Sequence, residues 1–138
     1  MNNFVDQLIL EIDRGIKFST SNSQECKRPY PAETTKEIPL SEIEKNQSAG
    51  LMRVNHAGEI CAQALYRGQS LTAELSKTRD QMKRAADEEL DHLAWCNRRL
   101  KELGDNSSIL NPLWYAMSFS MGLITGLAGD KRSLGFVE

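Results

Sequence analysis

The sequence contains few residues that build disulfides or thiolate metal sites. Its three cysteines, Cys26, Cys61 and Cys96, are odd in number and none belongs to a C-x-x-C pair. This pattern argues against a disulfide framework or a structural zinc site, and it favours a reducing cytoplasm. We expect Cys61 and Cys96 to be packing residues rather than nucleophiles, because neither lies in an activating motif.

An excess of charge and a targeting segment are also absent. Seventeen basic and nineteen acidic residues give a net charge of -2, so the composition offers no electrostatic footprint for nucleic acid, and we predict no nucleic-acid partner. The first twenty residues carry acidic side chains within their apolar run. They therefore resemble neither a secretory signal nor a transit peptide.

Strand signals and repeats are missing as well, and the remaining patterns are helical. Apolar residues between Phe4 and Ile16 recur at helical spacing, which predicts a short amphipathic helix. A packed terminal helix is the simpler interpretation, and an interfacial membrane anchor is the alternative. Residues 19–40 are polar and contain three prolines, so we predict a loop there.

Two long helices are predicted next, at residues 42–74 and 79–103. The letters "SEIE" at Ser41 form a capping box, "TRDQ" at Thr78 repeats that pattern, and Gly104 follows as a stop signal. Because a short turn joins the two helices, we expect them to pack antiparallel.

The segment between Leu113 and Ala128 has sixteen residues and no charge. It is short for a membrane-spanning helix, which needs about twenty residues. Small residues recur every fourth position at Ser118, Gly122 and Gly126. We predict a core helix that packs closely through this small face; a helix that lines an apolar channel or rests on a bilayer is the alternative.

The second long helix carries a carboxylate, Glu89, on the side that should be buried. The same seam holds the apolar residues Met82, Ala86, Leu93, Cys96, Leu100 and Leu103. A carboxylate there must be neutralised, paired or bound to a metal, because burial of a bare charge is costly. His92 lies one turn on and shares the face, so "ELDH" offers an oxygen and a nitrogen ligand. We expect the neighbouring Glu88 and Asp91 to be solvated.

A second carboxylate, Glu59, lies in "RVNHAGEI" on the first long helix. The midpoint between Glu59 and Glu89 falls at residue 74, close to the predicted turn at 74–79, so their axial offset is about 5 Å. Glu59, Glu89 and His92 can therefore reach one interhelical space. Carboxylates with imidazole suit non-haem iron or manganese better than zinc, and a buried Glu–His pair without metal is the main alternative. Ferritin-like bundles use two such sets for two metals, so this chain shows one set, which is half of a complete site.

Three segments resemble the demethoxyubiquinone hydroxylase family of ubiquinone biosynthesis: "LMRVNHAGEICAQALYRGQ", "EELDHLAWCNRRLKELG" and the region that starts "LNPLWYAM". The resemblance extends roughly from residue 41 to the end, with a weaker echo in the first helix. It implies an all-α, ferritin-like antiparallel helical bundle. We expect residues 1–138 to be the N-terminal part of a single hydroxylase domain that lacks the family's C-terminal part here.

The resemblance also implies roles for individual residues at a site for two Fe²⁺ ions. Glu59 would be a terminal ligand of one iron, Glu89 would bridge both irons, and His92 would bind the same iron as Glu59. His56 would lie behind the ligands rather than among them. Glu138 lies beside the position of a further family carboxylate, and we do not expect it to be a ligand.

The implied activity is that of a peripheral membrane di-iron monooxygenase at the cytoplasmic face of the bacterial cell membrane. It would hydroxylate the ring of a polyprenylated demethoxyubiquinol with dioxygen and with NADH as reductant, and the charge-free segment would flank the prenyl tail. Further copies of the chain or other ubiquinone-biosynthesis proteins are the implied partners. Three alternatives stay open: an iron-binding hairpin that dimerises to complete the site, a structural bundle in which Glu89 merely pairs with His92, and an inactive fragment.

Overall fold

The computed structural model describes residues 3–20 and 26–135, and their regular structure is entirely helical. The described residues form five helices: α1 (Phe4–Thr20), α2 (Glu42–Thr72), α3 (Ser76–Glu102), α4 (Asn111–Leu127) and α5 (Asp130–Gly135). The predicted all-α class is therefore confirmed, and the arrangement is consistent with a ferritin-like bundle. The short helix α5 was not predicted.

Helix α2 is the centre of the fold, because α3 and α4 both pack along it. The buried apolar cluster takes residues from all three helices: Ile60, Ala64, Leu93, Tyr115 and Phe119. Burial of side chains of this size contributes about 1.5–3 kcal/mol each. The core therefore holds α3 and α4 against the same central helix.

The start of α2 follows the predicted capping box. The Ser41 side chain accepts a hydrogen bond from the Glu44 amide, and the Glu44 carboxylate accepts one from the Ser41 amide. These bonds satisfy two amides that the first turn of a helix would otherwise leave unpaired.

The start of α3 differs from the prediction. The helix begins at Ser76 after Leu75, and Thr78 is a buried helical residue rather than a cap. The capping prediction for Thr78 is therefore wrong. The physical reason for the difference is Asp130. Its carboxylate accepts hydrogen bonds from the backbone amides of Glu74 and Leu75 at 3.1 and 2.9 Å. This long-range contact fixes the turn before α3, and the Thr78 side chain hydrogen-bonds to Asp130 as well instead of capping the helix.

The end of α3 agrees with the prediction to within one residue. Gly104 has a φ of 75°, and its amide donates to the Lys101 carbonyl at 3.0 Å. Glycine adopts this left-handed conformation without the steric cost of a Cβ. Gly104 therefore ends the helix, as its position in the sequence indicates.

Helix α4 runs in the same direction as α2 and lies very close to it. The contacting residues occur in the same order on both helices: His56 contacts Asn111, and further along both helices Thr72 contacts Gly126. Gly122 and Gly126 are buried in this interface, whereas Ser118 is only half-buried. The prediction that α4 packs closely through its small face is therefore confirmed, whereas the exposed Leu113, Met117 and Ile124 keep the bilayer alternative open.

The N-terminal helix packs through one face. Leu8 contacts the core cluster, and Gly15 lies against the Tyr115 ring. Apolar residues that flank this face are more than half exposed: Phe4, Val5, Ile9, Ile12 and Ile16. The packed-helix interpretation thus holds for the line of Leu8 and Gly15, and the exposed apolar residues beside it keep the membrane alternative open.

The predicted loop at 19–40 begins too early, because α1 continues through Thr20. Residues 26–40 have no helix or strand. Residues 21–25 lie outside the described part, as does Glu138. Among the described helices, none is both long and apolar enough to cross a membrane.

The α2–α4 contact yields a test of the fold. A Cβ on Gly122 would overlap the carbonyl oxygen of Leu65, which is backbone and cannot rotate away. We expect Gly122→Ala to destabilise the protein by about 1–3 kcal/mol, measured by urea denaturation. Gly50→Ala is the matched control, because a Cβ on Gly50 meets open space and alanine favours helix by about 1 kcal/mol. Equal effects of the two substitutions would contradict the close contact.

Candidate metal centre

The structure brings Glu59, Glu89 and His92 together between α2 and α3. Each offers one ligand atom, and these atoms all lie within 4.8 Å of one another. The His92 Nδ1 is 2.9 Å from Glu89 Oε2 and 3.8 Å from Glu59 Oε2. Their shared location agrees with the sequence analysis, and their metal-binding role stays a prediction.

The short turn explains why the three side chains meet. Helix α2 ends at Thr72 and α3 begins at Ser76, so residue 74 is the centre of the connection. Glu59 and Glu89 are equally distant from this centre. In an antiparallel pair such residues lie level with each other, so the small offset expected from the sequence disappears.

The groove that holds these side chains is partly open. The exposed fractions of the side chains are 39% for His92, 27% for Glu59 and 17% for Glu89. Solvent or a ligand can therefore reach the site from one side. The imidazole is the most accessible of the three groups.

Burial and the neighbouring carboxylate disfavour the ionised form of Glu59. Desolvation, a hydrogen bond to Glu89 and the Glu89 charge raise the pKa of Glu59 to about 8. The pKa of Tyr66 is raised by burial first and then by the charges of Glu89 and Glu59. A bound cation would remove the repulsion, because it compensates both carboxylates.

Cys96 lies near the same groove but is not an activated nucleophile. Burial, followed by the negative charge of Glu59, raises the pKa of its thiol to about 11. A thiol with so high a pKa is protonated at neutral pH and is a weak nucleophile. This property supports the prediction that Cys96 is a packing residue.

The donor set fits iron. Two carboxylates supply hard oxygen ligands and the imidazole supplies one nitrogen, which is the mixture that non-haem iron sites use. The same geometry also fits the metal-free alternative, because His92 and Glu89 are already within hydrogen-bonding distance.

His56 is a buried residue of the helix junction. It is 1% exposed, its Nδ1 is 3.4 Å from the Asn111 side-chain nitrogen, and the Asn97 side chain also hydrogen-bonds to it. Burial lowers its pKa to about 4 despite the bond from Asn97, so the ring is neutral at pH 7. His56 links α2 to α3 and α4 one turn before Glu59, and its role behind the ligands stays a prediction.

Asp91 corrects one expectation from the sequence. Glu88 is exposed, as expected, but Asp91 is 4% exposed and forms an ion pair with Arg28 at 2.7 Å. Burial raises the Asp91 pKa, yet hydrogen bonds from Arg28 and the Lys27 amide outweigh it and lower the pKa to about 2. The prediction that Asp91 is solvated was wrong because its partner, Arg28, comes from a loop that is distant in the sequence.

The aromatic contact of His92 was not predicted from the sequence. The Trp95 ring lies 5.3 Å from the imidazole centroid, and the Arg28 guanidinium lies 5.0 Å from the Trp95 ring centroid. Trp95 follows His92 by three residues, which is a signal for a shared helix face. Nothing in the sequence indicates the third member, Arg28.

The chain is an all-helical bundle protein, the class in which carboxylates and imidazoles between facing helices can build metal sites. Comparison with known proteins identifies the family within this class. Residues 46–138 match the family described as "Ubiquinone biosynthesis protein COQ7", and the chain belongs to that family.

The curated relatives agree with this family. The chain is 50% identical to a 3-demethoxyubiquinol 3-hydroxylase of Marinomonas sp., over 99% of this chain and 65% of the relative. It is 50% identical to a protein of that name from Pseudomonas syringae pv. syringae, over 96% of this chain and 62% of the relative. The one from Acinetobacter baumannii is 53% identical over 96% of this chain and 63% of the relative. No solved structure matches.

The chain thus spans a little under two thirds of the length of these relatives. The hydroxylase activity that their names state is a property of longer proteins.

The raised pKa of Glu59 predicts a pH-dependent cost to stability. Between pH ~4.5 and 8 the unfolded carboxyl loses its proton while the folded one keeps it, so the free energy of unfolding of the metal-free protein falls as pH rises. Glu59→Gln cannot ionise and should be more stable than the parent by about 1–3 kcal/mol at pH 8. The difference should shrink towards pH 5, as measured by chemical denaturation with EDTA.

The control is Glu88→Gln, because Glu88 is exposed on a neighbouring face. It should leave the pH dependence unchanged. A Glu59→Gln protein no more stable than the control at pH 8 would contradict the proposed burial of uncompensated charge.

Proposed function

We propose that this chain carries the substrate-oxidising metal centre of a 3-demethoxyubiquinol hydroxylase, with Glu59, Glu89 and His92 as iron ligands. The observation that carries the proposal is the convergence of these three donor groups within 4.8 Å in a chain of this family. In a complete site they would supply half of the ligands for two iron ions, with a matching set from outside the described residues.

The proposed reaction places one oxygen atom of dioxygen on the ring of a polyprenylated demethoxyubiquinol. The second oxygen atom leaves as water, and NADH supplies the two electrons that this balance requires. Two bound ferrous ions would supply the activation of dioxygen that organic side chains cannot provide.

The residues of the chain have separable roles in this proposal. Glu59 and Glu89 compensate the charge of the cations, and the proton that Glu59 holds in the metal-free state would leave when a cation binds. His92 supplies a neutral nitrogen donor at the open side of the groove. The partly exposed position of His92 allows dioxygen and the quinol ring to approach from that side.

The apolar surface of α1 and α4 supports a polyprenylated substrate and peripheral attachment to a membrane. A cavity of about 340 Å³ lies between these helices, and its walls are mainly apolar. Neighbouring α4 residues are more than half exposed: Leu113, Met117, Ile124 and Leu127. Since the curated relatives are bacterial, we propose the cytoplasmic face of the cell membrane as the location.

The function is tested by Glu89→Ala in the native gene. Loss of the carboxylate between His92 and Glu59 should remove most iron from the purified protein and raise the cellular ratio of demethoxyubiquinone to ubiquinone by at least a hundredfold. Quinones are measured by mass spectrometry and iron by elemental analysis. Glu88→Ala is the matched control and should change neither quantity. Normal ubiquinone in the Glu89→Ala strain would refute the assignment.

A second candidate function is an iron-binding hairpin that completes its site by dimerisation. The open side of the groove favours it, because two copies facing each other would supply two glutamates and two E-x-x-H sets. Sedimentation with Fe²⁺ added anaerobically should then give a dimer with two irons per two chains. A monomer at every iron concentration would exclude this arrangement.

A further inference from the structure

Residues 26–40 form an irregular strap that lies along the outer side of α3. Its contacts with α3 are mainly ionic and fall into two groups. At one end Arg28 pairs with Asp91; at the other, Glu33 pairs with Arg98 and Glu37 with Arg99, each at 2.6 Å. The strap is therefore attached at two places about two helical turns apart.

The Arg28 end contacts the turn of α3 that carries the candidate ligands. The guanidinium donates to the Asp91 carboxylate at 2.7 Å and to the Glu88 carbonyl at 3.1 Å. These two acceptors immediately precede His92 and Glu89 in the sequence. A planar guanidinium with several donors can hold both acceptors at once, which a single ammonium cannot do in the same way.

The same guanidinium also holds Trp95. Its carbon is 5.0 Å from the indole ring centroid, a distance at which a cation is attracted to the ring face. The indole Nε1 is buried and has no hydrogen-bond partner within the described residues. The orientation of the indole therefore depends on ring contacts, of which Arg28 provides one and His92 another.

Trp95 in turn restricts the orientation of the His92 imidazole. The two ring centroids are 5.3 Å apart with an interplanar angle of 45°. His92 is otherwise the most exposed of the three donor groups. Its bond to Glu89 would be lost if the same nitrogen bound a metal, whereas its contact with Trp95 would remain and hold the ring towards the groove.

We propose that Arg28 is a positioning residue for the metal centre, which holds the Trp95 ring against the His92 imidazole and keeps the imidazole directed at Glu59 and Glu89. This inference rests on the proposed function for its metal. The hold on the ring itself does not require one. Arg28 touches neither substrate nor the donor atoms and acts only through Trp95 and the α3 turn.

The first measurement uses the metal-free full chain. Only two histidines are present, so the imidazole protons of His92 can be assigned in ¹H NMR by their loss in His92→Gln. The Trp95 ring should shift the His92 resonances from their usual positions. The Trp95→Leu variant gives the positions of these resonances without the ring. We expect Arg28→Ala to move them at least halfway to the Trp95→Leu position.

The second measurement is Co²⁺ affinity, followed by quenching of Trp95 emission in a Trp114→Phe background. We expect Arg28→Ala to bind Co²⁺ roughly tenfold more weakly, the usual scale for loss of a group that orients a ligand. Arg98→Ala is the matched control. This variant loses the contact of Arg98 with the Tyr30 ring, at 4.1 Å, and the ion pair with Glu33 at the other end of the strap. It should leave the His92 resonances near their parent positions and change the Co²⁺ affinity by less than about twofold.

The outcomes are distinct. Unchanged His92 resonances in Arg28→Ala would overturn the inference, and so would equal changes in Arg28→Ala and Arg98→Ala, which would indicate general loosening of the strap. If the parent chain binds no Co²⁺ while the resonances move as expected, the proposed metal site fails and the hold of Arg28 on His92 stands.

Discussion

The register between α2 and α3 is the constraint on which the site depends. Three residues connect the helices, so each position on α2 faces a fixed level of α3. Asp130 holds this connection by accepting two of its backbone amides. A shift of one residue would move Glu89 by about 1.5 Å along the axis and by about 100° around it, which would take it away from Glu59.

Close packing elsewhere allows the protein to tolerate two adjacent carboxyl groups in the groove. Gly122 permits α4 to contact the α2 backbone directly, and apolar residues of three helices fill the space beside it. The groove, in contrast, holds Glu59 with a raised pKa. The free energy gained in the packed half offsets the cost at the groove, a division that metal and catalytic sites commonly show.

Local sequence signals predicted the parts of the structure that local physics decides. Hydrogen bonds and spacing within one helix account for the Ser41 cap, the Gly104 stop and the seam around Glu89. The length of the turn accounts for the position of Glu59 opposite Glu89. Thr78 was assigned wrongly because its side chain hydrogen-bonds to Asp130, a residue distant in the sequence. Asp91 was assigned wrongly for the same kind of reason, since Arg28 reaches it from a loop without periodicity.

Metal binding by Glu59, Glu89 and His92 can be observed by anomalous diffraction at the iron edge, from crystals equilibrated anaerobically with Fe²⁺. We expect a peak between α2 and α3 within bonding distance of these three residues. We expect the peak to disappear in the Glu89→Ala protein. A peak only at other residues, or an intact Glu89–His92 hydrogen bond without any peak in iron-loaded crystals, would refute the metal site and favour the metal-free pair.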